Sequence, residues 1–125
     1  MVQYGTAAEA RKRAHNMGTN FYSDAEINEI MTRYSNGLHL TLGKTLAAVF
    51  TASDVEFSTA ETYVINATAC EMLASVEIQD DGKCEEKAQK ALDELTGGGT
   101  NFAIITGHYE INDGLDENLY LQRDP

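Results

Sequence analysis

The stretch Ser58-Thr59-Ala60-Glu61-Thr62-Tyr63-Val64-Ile65-Asn66-Ala67-Thr68-Ala69-Cys70-Glu71-Met72-Leu73-Ala74-Ser75-Val76 reads as one long buried helix. Ser58 and Glu61 stand three apart, the spacing of a capping box, in which each side chain bonds the other's backbone N–H. Val64, Ile65, Thr68, Ala69, Met72, Leu73 and Val76 recur at helical spacing and give a broad apolar face, with Ala67 and Cys70 filling in. The pattern predicts a helix over about Thr59–Ile78 at the centre of the fold.

Downstream, Asp80-Asp81-Gly82 is a short turn whose acids suit the positive end of a following helix. Cys84, Ala88, Ala91, Leu92 and Leu95 then share one face, and Gly97-Gly98-Gly99 ends the helix. So short a connection makes the two helices an antiparallel pair. After the glycines the character changes. Phe102-Ala103-Ile104-Ile105-Thr106 reads as a strand, and Tyr109 and Ile111 alternate like a second. From Asn112 to Pro125 the chain is acidic and turn-prone, with Leu115, Leu119, Tyr120 and Leu121 embedded in it. Such a tail cannot form its own core; it is either disordered or docks those apolar residues on another surface.

Upstream, Ser23 and Glu26 form a second capping box, with Phe21 or Tyr22 placed to staple onto Ile27. Ile27, Ile30, Met31, Tyr34 and Leu38 follow on one face, predicting a helix from Asp24 to about Ser35, with Asn36-Gly37 as a break. Leu38–Phe50 mixes both periods, and Lys44–Phe50 is assigned to helix. Thr6 and Glu9 cap a short first helix, about Ala7–Asn16, with Gly18 as its stop. Arg11, Lys12, Arg13 and His15 make it polar, so it is expected to pack loosely or to await a partner. The expected architecture is mainly α: a small helical bundle of three to four helices with a C-terminal β-prone arm and extended tail. Residues 1–20 hold the N-terminal helix, 21–97 the bundle core, and 98–125 the arm and acidic tail.

The 125 residues suit one domain, and 42% hydrophobic residues suit a packed core. Twenty acidic residues against nine basic ones give a net charge of -11. That sign disfavours a protein that grips nucleic acid or an anionic membrane surface, since both need surplus Lys and Arg. It most commonly reflects plain solubility; high-salt adaptation and a surface made for a basic partner are the other readings. No apolar run approaches a membrane span, and the first twenty residues lack the apolar stretch of a signal peptide. Cys70 and Cys84 fall inside helical patterns, which favours free thiols over a disulfide framework. This is the profile expected of a soluble, acidic, intracellular domain.

A search for chemistry finds little. His15, His39 and His108 lack ligand spacing, so surface or packing roles are expected and no metal site is assigned. Asp80-Asp81 and Glu85-Glu86 are better read as helix-dipole complements than as acid–base pairs. Gly97-Gly98-Gly99-Thr100 lacks the lysine of a phosphate loop. Asn66-Ala67-Thr68 matches a glycosylation acceptor but lies inside the central helix. No catalytic residue and no cofactor site is assigned, and the chain is not expected to be an enzyme.

The order of elements carries more. An aromatic-then-acidic helix start (Tyr22-Ser23-Asp24-Ala25-Glu26-Ile27) leads to a long Ala-rich helix, a short turn, and an amphipathic helix ending Ala91-Leu92-Asp93-Glu94-Leu95. A β-prone arm closes the chain. Over about Phe21–Leu95 this resembles the head–tail connector (adaptor, or head-completion) proteins of tailed phages and archaeal tailed viruses. The Leu38–Phe57 link and the long acidic tail depart from the family pattern. The resemblance implies a structural virion protein at the neck, made in the host cytoplasm and assembled as a homo-oligomer ring, commonly of twelve. The ring would sit under the portal protein, extend the DNA channel and dock the tail or stopper proteins, with DNA passing through without specific binding. In that family the C-terminal arm reaches onto the portal. Here Tyr109, Ile111, Leu115, Leu119, Tyr120 and Leu121 are the implied contacts with portal or neighbouring subunit. The alternative is a small acidic regulatory or adaptor protein that binds a cellular protein, for instance by imitating the charge of DNA.

Overall fold

The computed structural model describes residues 3–43, 55–80 and 82–103. Among the described residues there are four helices and no strand: α1 (Ala7–Arg13), α2 (Asp24–Thr41), α3 (Val55–Ser75) and α4 (Lys83–Thr96). The chain is therefore mainly α, a small helical bundle. The helix expected over Lys44–Phe50 and the arm from Ile104 onwards lie outside the described residues.

The central stretch sits where its composition requires. An α-helix that is apolar all round must be covered on all sides. In α3 every residue from Asn66 to Leu73 is buried, and α1, α2 and α4 each pack against it. Its ends differ from the expectation. The helix is already under way at Val55, so Ser58 and Glu61 are interior residues and no capping box forms there. It stops at Ser75, three residues before Ile78. Glu77 turns into the left-handed region at φ 60°. Ile78 N–H then bonds Leu73 O at 2.9 Å, and Glu77 N–H bonds Ala74 O at 3.2 Å. These are the paired bonds that close a Schellman motif, here with glutamate at the position glycine usually takes.

Both upstream capping boxes form as read, Thr6 with Glu9 and Ser23 with Glu26. Tyr22, rather than Phe21, turns towards the core, and its hydroxyl hydrogen-bonds Ser75 Oγ. Helix α1 ends at Arg13 instead of Asn16, because His15 and Asn16 both take left-handed φ near 60° and do the work expected of Gly18. Nor does α1 pack loosely. Ala7, Ala10 and Ala14 are buried with Tyr4 and Met17, so its contact face is built from alanines whose small side chains allow close approach. Helix α2 does not break at Asn36-Gly37 but runs on to Thr41. Leu38 and His39 are buried, and the area they remove from water outweighs the cost of one helical glycine.

Helix α4 packs antiparallel to α3. Lys87, Lys90 and Glu94 face Ser58, Thr59 and Thr62 near the start of α3, while Cys84 meets Cys70 near its end. The two cysteines are joined in a disulfide with Cα atoms 5.6 Å apart, which corrects the expectation of free thiols. Their sequence spacing is silent on this; antiparallel packing is what makes them neighbours. Gly97, at φ 82°, closes α4 by donating its N–H to Asp93 O at 2.8 Å.

Candidate functional site

Three side-chain networks tie the elements of the bundle together. The first centres on Glu71, buried on α3. Its carboxylate takes bonds from both Arg33 guanidinium nitrogens (2.9 and 3.2 Å) and from the Tyr34 hydroxyl at 3.0 Å. Burial alone would lower the Arg33 pKa, but the Glu71 bond and charge outweigh it and hold the group above its ordinary value. The second runs from the N-terminal segment to α2. Tyr4 N–H donates to Ser35 Oγ, whose hydroxyl donates to Met31 O, and the Tyr4 hydroxyl shares a 2.7 Å bond with His39 Nε2.

The third centres on Asp80, whose side chain is 9% exposed. It accepts from Cys84 N–H at 2.8 Å, from His15 Nε2 at 2.6 Å and from Arg13 at 3.4 Å. Burial would raise its pKa, yet the Cys84 bond together with His15 and Arg13 keeps the carboxyl below its usual value. Arg13 also reaches Asn66 Oδ1 at 2.8 Å. The acid expected at the start of α4 is thus in place, and it ties α1, α3 and α4 together. Glu85 and Glu86 are exposed in the first turn of α4, the place expected of dipole complements.

The histidines divide. His39 is fully buried against Tyr4, and His15 pairs with Asp80. His108 lies outside the described residues. Among the described residues no group of His, Cys, Asp and Glu could hold a metal ion. No helix among them is long and apolar enough to cross a membrane.

The six implied contact residues, Tyr109, Ile111, Leu115, Leu119, Tyr120 and Leu121, lie outside the described residues. What is described is the base from which their segment departs. After Gly97-Gly98-Gly99 the chain turns back along α4. The Gln89 side-chain amide then holds it from both sides, donating to Thr100 O at 2.8 Å and accepting from Phe102 N–H at 2.8 Å. Phe102 is buried against the rings of Tyr34 and Tyr63. Burial pushes the Tyr63 phenol up to about 12. Phe102 and Ala103 form no strand; the backbone bonds a strand partner would supply come from a side chain on a helix. Nothing in the sequence marks Gln89 for this, since a half-buried glutamine on an amphipathic helix reads as surface.

Two open surfaces flank the α3–α4 pair. One is a shallow groove beside the disulfide, lined by Leu73, Ala74, Ile78, Glu85 and Phe102. The other runs between the first half of α3 and the second half of α4, lined by Ser58, Thr59, Thr62, Lys87, Lys90 and Glu94. No protein-family model, no curated protein and no solved structure matches this chain.

Proposed function

We propose that this chain is a structural virion protein, a head–tail connector that assembles as a ring under the portal, extends the DNA channel and docks the tail or stopper. The observation that carries this reading is the order of elements within a helical bundle. A capped aromatic–acidic helix start leads to a central buried helix, an antiparallel partner with an Ala/Leu face, and a segment held at its base before leading into the tail. Tyr109, Ile111, Leu115, Leu119, Tyr120 and Leu121 are the proposed contacts with portal or neighbouring subunit. Spaced apolar side chains in an acidic segment gain by burying themselves on a partner's surface.

Two further features support the reading. A net charge of -11 suits a channel through which DNA slides, because an acidic lining offers no phosphate contacts to hold it. A disulfide persists in oxidising surroundings, and a particle released from its host meets such surroundings. The test is immunogold labelling of purified virus particles with an antibody against this chain. One cluster of label at the head–tail junction is expected. Unlabelled particles, with the protein found only free in the infected cell, would overturn the reading and give precedence to a small acidic regulator of a cellular protein.

A further inference from the structure

We infer that the groove between α3 and α4 receives the acidic C-terminal tail of a second copy of this chain. Three of the chain's five lysines, Lys83, Lys87 and Lys90, lie on α4. Lys87 and Lys90 line the groove with Ser58, Thr59 and Thr62 on the opposite wall. Both lysines are exposed, and neither makes an ion pair with a described residue. In a chain of net charge -11, two cations with no acidic partner among the described residues, beside three hydroxyl donors, make a local site for carboxylates. The sequence holds a matching segment: Asp113, Asp116 and Glu117 fall close together in the tail. Glu94, at one end of the groove, repels an acidic segment there, so the tail carboxylates face Lys87 and Lys90.

The geometry favours a second copy over the same chain. At 100° per residue, Gln89, Glu85 and Thr96 fall on one flank of the buried Cys84–Ala88–Ala91–Leu92 stripe of α4. Lys87, Lys90 and Glu94 fall on the other. Gln89 and the Tyr34–Tyr63 rings hold Thr100 and Phe102 on the first flank, so a chain would have to cross α4 to fill its own lysine groove, whereas a neighbour's tail need not. The inference rests on the assignment of the tail to a protein interface. It needs no virus particle, so it and the neck location can fail separately.

The experiment is sedimentation velocity on the full-length protein at low and high salt. Self-association is expected at low salt and is expected to weaken at high salt, as screening shortens the reach of exposed charges. Reversing the groove (Lys87→Glu with Lys90→Glu) or the tail (Asp113→Lys, Asp116→Lys and Glu117→Lys) should each weaken it at least about tenfold. Mixing the two reversed proteins should restore association, because the acidic tail of one chain meets the lysine groove of the other. Circular dichroism checks that each variant keeps its helices; Lys87→Gln with Lys90→Gln replaces any that does not. A wild-type monomer at every concentration, association indifferent to both reversals, or a mixture that stays monomeric would each overturn the inference. The last result would mean that the copies associate through a different surface.

Discussion

Thr68 stands at the centre of α3 with no exposed surface, and its hydroxyl finds no hydrogen-bond partner among the described residues. A buried polar atom left unpaired carries its desolvation cost with nothing gained in return. Thr68→Val keeps the branched shape and removes that atom, so stability should rise by about 1 kcal/mol in urea unfolding. A loss would show that the hydroxyl has a partner. Asp80 behaves oppositely, because it is over-supplied with donors. Its folded pKa lies below its ordinary value, so the unfolded chain binds more protons as the pH falls. The stability Asp80 contributes is therefore fully present above the unfolded value of about 4 and is lost as the pH drops through the folded value. Urea midpoints measured across that window should fall with pH in the wild type and fall less steeply in Asp80→Asn. Equal slopes would discard the assignment. Cys70 is a residue-scale case that the sequence could not decode. Its helical neighbours are apolar whether the sulfur is free or bonded, and only the antiparallel placement of α4 brings Cys84 within reach.

At the scale of elements, the legible features were those carried by chemistry three residues apart. The boxes at Thr6–Glu9 and Ser23–Glu26 form because their partners lie within one turn and Thr6 and Ser23 stand in extended backbone at the helix start. Ser58 and Glu61 have the same spacing, but α3 extends upstream past them to Val55, so the pattern falls inside a continuing helix. The packing of α1 was illegible for a different reason: alanines carry little hydrophobic signal, yet they let helices approach closely. Gly37 misled in the other direction, being a break signal that tertiary burial overrides. A side chain at Gly37 would meet nothing within 4 Å. Gly37→Ala should therefore add about 0.5–1 kcal/mol by reducing the freedom of the unfolded chain at no steric cost. A lowered thermal midpoint would mean that α2 needs its glycine. For the candidate site, the sequence drew attention to the apolar residues from Tyr109 onwards. The Gln89 amide, which holds the base of that segment, sends no signal because its role exists only once the chain has turned back on α4.

At the scale of the whole molecule, one covalent link joins helices already in contact. The Cys70–Cys84 bridge spans 14 residues and includes the turn between α3 and α4. Closing a loop of that size removes freedom mainly from the unfolded chain, so Cys70→Ala with Cys84→Ala should lower stability by about 2–4 kcal/mol. Reductant added to the wild type should produce the same shift and leave the double variant unmoved. The central place of α3 has a consequence for amide hydrogen exchange. Three helices cover it from different sides, so the amides of Asn66–Leu73 can meet solvent only when the whole body opens, whereas α1 has seven residues and an exposed outer face at Ala8, Glu9 and Lys12. Exchange at Asn66–Leu73 should track global stability as denaturant is added, and exchange along α1 should respond far less. Each amide of the central helix then serves as a built-in gauge of how often the entire molecule comes apart.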